Sequence, residues 1–128
     1  MFGHETNIFT DKENMHTIYF LNKDTLVTEI HYSFKTRKIY IQNYISDILI
    51  LPFGIVTEPS FERFENFLES RCFPRTRYNV DHLLELLGLT NYDPISIIRK
   101  THGVQNEDTC WIRFEGEKFK YDEIKLRD

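Results

Sequence analysis

The sequence predicts an α+β fold: an N-terminal antiparallel β-meander packed by three short helices, with one further C-terminal strand. Three observations predict it. Segments rich in β-branched and aromatic residues come first, apolar residues at helical spacing fill the middle, and a short alternating segment lies near the end. A chain of 128 residues fits one domain. We expect that domain over residues 15–128, after a loose arm over residues 1–14 in which no apolar period is sustained.

The meander is predicted from three consecutive β-forming segments. Residues 17–21 and 26–32 flank a polar turn, and residues 38–45 follow a second one. In the third segment, alternation places Ile39 and Ile41 on one face of the sheet. Three sequential strands leave at least one apolar face to be covered, and we expect the downstream helices to cover it.

The apolar run at residues 48–54 connects the two halves, and it is predicted to be a buried crossing segment that ends in a turn. A first helix then begins after Ser60, which is expected to act as its N-cap. Its buried stripe is predicted from helical spacing. That stripe contains Phe61, Phe64, Phe67 and Leu68. Pro74 is expected to end this helix, because proline disfavours the α conformation in the residue before it.

Two more helices and a last strand complete the predicted domain. The second helix spans residues 79–87 and ends at Gly88, and the third begins at Asp93-Pro94 and ends near His102. The strand is expected over residues 109–114. Trp111 and Arg113 are expected on the opposite face of the sheet from Cys110, Ile112 and Phe114. A last helical turn is expected over residues 121–126.

The composition excludes several classes of function. A net charge of −4 and a pI near 5.7 argue against direct nucleic-acid binding, which needs a basic surface. No apolar segment reaches the roughly 20 residues that a membrane-spanning helix needs. The two cysteines lack metal-ligand spacing and no secretory signal is visible, which predicts a cytoplasmic protein with reduced thiols. The glycines are isolated and form no phosphate-binding loop, so no cofactor is expected.

The densest positive charge lies in residues 69–77, here called the arginine segment. Arg71, Arg75 and Arg77 can form a clamp for an anion or an acidic partner, because guanidinium groups pair bidentately with phosphate and carboxylate. The alternative is structural: these arginines cap the preceding helix and pair with nearby glutamates. The candidate glutamates are Glu65, Glu69 and Glu85.

A second group of candidate residues lies around the last strand. Lys100 and His102, with Thr101 and Asp108, form the nearest approach to a polar catalytic cluster, but no nucleophile is placed to work with them. The histidines show no metal-ligand spacing, so no metal site is expected. The remaining candidates each have two interpretations. Trp111, beside Arg113, is either an interface anchor or a core residue, and Cys72 is either a reactive thiol or an inert buried one.

From residue 15 to about residue 114, the order of short motifs resembles the N-terminal region that precedes the kinase lobe in HipA-like proteins of Firmicutes. The matching segments read LNKDT at 21–25, LPFG at 51–54, FLESRCFPRTR at 67–77, LLELLG at 83–88, IIRKTHGV at 97–104 and DTCWI at 108–112.

The resemblance implies an accessory or regulatory module of a HipA-type toxin–antitoxin system, or of a phage or mobile element carrying one. The kinase motifs themselves are absent from the sequence. In related split systems, a separate small subunit restrains the kinase by contacting it. We therefore expect a non-catalytic protein that binds a HipA-like serine/threonine kinase through the arginine segment and the Trp111 strand. The alternative is an anti-CRISPR-like inhibitor of a host defence nuclease, since a small acidic domain suits a basic nucleic-acid groove.

Overall fold

A computed structural model describes residues 15–125, and in it a four-stranded antiparallel sheet packs against short helices. The predicted α+β class is confirmed. The strands are β1 (His16–Asn22), β2 (Thr25–Ser33), β3 (Lys38–Asn43) and β4 (Cys110–Phe114), and the helices are α1 (Phe61–Ser70), α2 (Val80–Leu86), α3 (Pro94–Thr101) and α4 (Tyr121–Ile124). The predicted arm over residues 1–14 and Leu126 of the predicted last turn lie outside the described residues.

The sheet has the strand order β3-β2-β1-β4, so the C-terminal strand joins the meander beside β1. The pairing places Ile18 opposite both Ile30 and Phe114, and Ile30 opposite Ile41. Side chains directly opposite one another lie on the same face of a sheet. These residues therefore form one apolar face, which the helices cover as predicted.

Helix α1 forms the centre of that cover. It begins at Ser60, whose hydroxyl oxygen accepts a hydrogen bond from the Arg63 backbone N–H at 3.2 Å. Its predicted stripe is buried, and the Phe64 ring lies 5.0 Å from the Tyr32 ring of β2. The helix ends at Ser70, earlier than Pro74 alone would require. The residue after it, Arg71, leaves the helical conformation where its side chain turns into the protein.

Helices α2 and α3 follow the predicted boundaries closely. Gly88 ends the α2 region at φ +77°, a conformation that glycine adopts without strain. Asp93 precedes Pro94, but its carboxylate accepts from the Ser96 hydroxyl at 2.6 Å and makes no bond to the helix backbone. Helix α3 ends at His102, which takes the left-handed conformation at φ +58° although it is not glycine.

The predicted burial of residues 48–54 is wrong. Leu49 is 91% exposed and Ile48 is 52% exposed, and only Phe53 in this run is buried. A tight turn precedes this run, in which Asp47 Oδ1 accepts the Leu49 N–H at 3.0 Å. Ile48 and Leu49 at this turn lie outside the core, whereas Ile50 and Leu51 pack partly against it. Ile55, just beyond the run, is 78% exposed. We call residues 48–55 the apolar loop.

Candidate protein-interaction surface

An open cleft of ≈ 810 Å³ lies between the arginine segment and the loop that joins α3 to β4. The two walls are joined by a hydrogen bond from the Gln105 side-chain amide to the Ser70 carbonyl, at 2.6 Å. The cleft is therefore held between two parts of the chain that are distant in sequence. It places the arginine segment beside Thr101, within the second group of predicted site residues.

Arg71 belongs to the interior. Only 7% of it is exposed, and its Nε donates to the Gly103 carbonyl at 3.0 Å. Its two terminal nitrogens donate to the carboxylate of Asp108 at 2.9 and 3.1 Å, and one of them also reaches the Cys110 carbonyl at 2.8 Å. The guanidinium is thus occupied by partners within the chain. Its geometry is that of a structural arginine that ties α1 to the segment entering β4.

Arg75 lies at the surface and is held in place. Its guanidinium forms a bidentate pair with Glu69, at 3.0 and 3.3 Å, and lies 4.2 Å from the centre of the Tyr92 ring. The hydrogen bond from Arg75 lowers the pKa of the Glu69 carboxyl. The predicted pairing with a nearby glutamate is therefore present for Arg75. Because this pair is exposed, its side chains remain accessible to a partner.

Arg77 is the least restrained cation of the arginine segment. It is exposed, and in the described part of the chain its guanidinium has no hydrogen-bond or ion-pair partner. Its backbone forms a turn, with the N–H donating to the Pro74 carbonyl at 3.1 Å. The next residue, Tyr78, is 97% exposed. A cation and an aromatic side chain are thus presented side by side, a combination common in protein interfaces. Lys100 is also exposed, on α3.

The apolar loop adjoins the same region. A second cleft, of ≈ 410 Å³, is lined by Leu49, Ile50 and Pro52 on one side, and it shares Ser70 and Arg71 with the first cleft. Leu49 and Ile50 of the loop therefore lie near the start of the arginine segment, at Ser70 and Arg71. Soluble domains expose scattered apolar residues, but several in one loop are typical of a contact surface.

A separate cluster lies against the segment that follows β4. It consists of His102, Trp111 and Arg113. The His102 ring lies 6.3 Å from the Trp111 ring and 5.3 Å from the Phe119 ring. Arg113 donates to the Phe119 carbonyl at 3.3 Å and lies 5.9 Å from the Trp111 ring. The returning segment thus covers these side chains. Of the two interpretations of Trp111, the core residue fits the structure, because its exposure is 0%.

The predicted polar cluster around His102 is dispersed in the structure. The His102 ring pairs with Glu117 at 3.3 Å, whereas Asp108 is engaged by Arg71. Thr101 accepts a hydrogen bond from the Gly103 N–H at 3.1 Å, and Lys100 points into solvent. These side chains therefore do not converge on one site. Among residues 15–125, no three His, Cys, Asp or Glu side chains lie close enough together to hold a metal ion.

Both cysteines are buried thiols. Burial raises the pKa of Cys72 to about 12, and the negative charge of Glu69 raises it as well. Its Sγ lies 3.4 Å from the Leu68 carbonyl oxygen, which accepts the S–H. Burial, followed by the charge of Asp108, raises the pKa of Cys110. Because the thiolate is the reactive form, these surroundings suit inert thiols.

We expect native Cys72 to react with iodoacetamide at neutral pH at least on the order of a hundredfold more slowly than a free cysteine, because so little thiolate is present. Mass spectrometry of timed alkylation measures this, and the urea-unfolded protein is the matched control. Rapid labelling of Cys72 in the native protein would instead support its interpretation as a reactive thiol.

Some features of this surface were missed by the sequence-based predictions. The exposure of Tyr78 has no signal in the sequence. The chain has eleven Phe and seven Tyr, and nothing in the sequence distinguishes Tyr78 from the aromatic residues that are buried. For the apolar loop, a signal was present in the turn-forming Asp47, Pro52 and Gly54, which are unusual in a buried segment.

Comparisons of this chain with protein-family models, with curated proteins and with solved structures gave no match. The class is therefore defined by the structure alone: an α+β domain with a helix-covered antiparallel sheet and a surface formed by the arginine segment and the apolar loop. No helix within residues 15–125 has the length and apolar character needed to cross a membrane.

Proposed function

We propose that this protein is a non-catalytic interaction module that binds a HipA-like serine/threonine kinase and regulates it, as an antitoxin or accessory subunit. The contact surface that we propose consists of the apolar loop, Arg75, Arg77 and Tyr78. The observation that carries the proposal is the exposure of Ile48, Leu49 and Ile55 in one loop. Burial of such side chains against a partner is favourable by roughly 25 cal/mol for each Å² of apolar surface removed from water.

The arginine segment adds specificity to this apolar contact. Arg75 is already oriented by Glu69 and Tyr92, so little side-chain entropy is lost when a partner binds it. Arg77 and Tyr78 extend beyond it into solvent. Arginine and tyrosine are among the residues that dominate binding energy in protein interfaces. The kinase is chosen as the partner class because the longest motif of the resemblance, residues 67–77, contains the arginine segment.

The experiment is a binding titration with a HipA-like kinase from the same genome, using the full chain. Two double variants are compared with the natural sequence: Ile48→Ser with Leu49→Ser, and Arg77→Ala with Tyr78→Ala. Each is expected to weaken binding about a hundredfold, since two interface anchors are lost. The matched controls are Leu86→Ser, an exposed leucine on α2, and Arg37→Ala, an exposed arginine paired with Glu65. Both controls are expected to bind normally.

The possible outcomes distinguish an error in the proposed contact surface from an error in the proposed partner class. If the kinase binds and all variants bind equally, the proposed surface is wrong although the partner class is right. If the natural protein binds no HipA-like kinase, the partner class is wrong. Arg71 is left unchanged in these variants, because its loss would alter folding and obscure any effect on binding.

A further inference from the structure

The sheet has two edges, and residues 15–125 cover one of them. The outward N–H groups of β4 have hydrogen-bond partners outside the sheet. Cys110 donates to Asp108 Oδ1 at 3.0 Å, Ile112 to the His102 carbonyl at 2.7 Å, and Phe114 to Glu117 Oε1 at 2.8 Å. The Cys110 carbonyl accepts a hydrogen bond from the Arg71 guanidinium. No further strand can therefore pair with β4 without breaking these bonds.

The other edge, β3, pairs with no strand in the described part of the chain. Its ladder with β2 continues past Asn43, where the Tyr44 N–H donates to the Val27 carbonyl at 2.8 Å. Backbone groups alternate in direction along an antiparallel strand, so Ile39 and Ile41 direct their N–H and C=O groups away from β2. Within residues 15–125, these outward groups have no hydrogen-bond partner. The register of β3 is regular, without a bulge that would turn the edge away.

We propose that β3 pairs with β3 of a second copy of this chain, so that two sheets join into one continuous antiparallel sheet. A two-fold axis through Tyr40 places Ile39 of each copy opposite Ile41 of the other. In that register, every outward N–H and C=O of Ile39 and Ile41 gains a partner. Main-chain pairing of this kind is how exposed sheet edges bind other strands.

The side chains in this register are compatible with one another. Ile39 and Ile41 meet on the helix-covered face, and the two Tyr40 rings meet on the opposite face, where aromatic cross-strand pairs are favourable. Lys38 lies opposite Gln42, so no like charges are opposed. Lys38 is also the one charged residue of β3, at its first position, so the middle of the strand lacks the charges that commonly protect an edge.

The neighbouring register, with Ile41 on the axis, is less favourable. It would require Asn43 to pair with Ile39, but the Asn43 carbonyl already accepts the Gln42 side-chain amide at 3.3 Å. The Asn43 side chain is also engaged, by the Thr28 hydroxyl at 2.7 Å. The register centred on Tyr40 uses only groups that have no partner among residues 15–125. In this register the edge is complementary to itself, so a second copy of the chain is the occupant that fits.

The test is sedimentation velocity of the full chain over a wide concentration range, with charge variants at the axis. Tyr40→Lys opposes two lysines, and Tyr40→Glu opposes two glutamates. Each is expected to weaken self-association about tenfold, through like-charge repulsion and the loss of an aromatic pair. A mixture of the two variants is expected to restore it, because lysine then faces glutamate. Tyr78→Lys, a matched change at a fully solvated site, is expected to leave it unchanged.

Amide hydrogen exchange of Ile39 and Ile41 gives the second readout. Protection that rises with protein concentration supports the proposal. A natural chain that stays monomeric overturns it, whether these amides exchange freely or are protected at every concentration; the latter result would mean that another segment of the same chain covers the edge. Association of both single-charge variants as strong as that of the natural chain would also overturn it. These results do not depend on whether a kinase binds.

Discussion

Replacing Arg71 by alanine is expected to lower the free energy of unfolding by about 3 kcal/mol. The substitution removes the buried guanidinium that binds Asp108, the Gly103 carbonyl and the Cys110 carbonyl. Two carbonyl groups would then lack a partner in the interior, and the Asp108 carboxylate would lose its counter-ion. We place the value at the low end of what breaking a buried ion pair costs, because the Asp108 side chain is 39% exposed and water can solvate it.

Urea unfolding followed by the fluorescence of Trp111, the single tryptophan, measures this effect. Arg75→Ala is the matched control, since it removes a bidentate arginine–glutamate pair of similar geometry from the surface. Its expected cost is below about 1 kcal/mol. Equal effects of the two substitutions would contradict the structural role of Arg71. Arg71→Lys keeps the charge but not the planar fork, so an intermediate loss is expected.

The Arg71–Asp108 pair also makes the stability of the protein depend on pH. The hydrogen bond from Arg71 holds the pKa of Asp108 below its ordinary value of 3.8. A carboxyl whose pKa is lowered by folding stabilises the folded state when it is ionised, above the pKa of the unfolded chain. That contribution is lost as the pH falls from about 4 through the lowered folded pKa. Asp108→Asn, which cannot titrate, is expected to show a weaker acid destabilisation in this range.

The secondary structure of this chain was predictable because its signals are local. Ser60, Pro94 and Gly88 mark helix ends by backbone chemistry that acts within a few residues. The alternation in β3 likewise specifies its faces without reference to the rest of the chain. The strand order could not be predicted, since the pairing of β4 with β1 joins residues about ninety positions apart.

The different roles of the three arginines could not be predicted from the residues near them in sequence. Arg71, Arg75 and Arg77 lie close together in one short segment, yet one is interior, one is paired at the surface and one is solvated. The difference arises because only Arg71 meets the Asp108 carboxylate, which lies 37 positions along the chain. Nothing in the residues beside Arg71 encodes that contact. The proposed contact surface therefore contains two of the three arginines that charge density alone would select.

Replacing Trp111 by alanine is expected to lower the free energy of unfolding by about 3–5 kcal/mol. The indole is fully buried, and its Nε1–H donates to the Lys23 carbonyl at 2.6 Å. The substitution would leave a cavity beside the His102 ring and leave the Lys23 carbonyl without its donor. Circular dichroism during urea unfolding measures the loss, because the tryptophan signal is removed with the side chain.

Two further variants separate a core tryptophan from an interface anchor. Trp111→Phe keeps most of the apolar ring but not the N–H, so a smaller loss of about 1–2 kcal/mol is expected. Tyr78→Ala removes an aromatic ring that is 97% exposed, and its expected effect on stability is within about 0.5 kcal/mol. An interface anchor would show the reverse: Trp111→Ala would leave unfolding unchanged and weaken only the binding of a partner. Because the His102 ring contacts both the indole and the Phe119 ring, loss of the indole in a folded Trp111→Ala protein is expected to loosen the Phe119 segment, which amide exchange of residues 115–121 would detect.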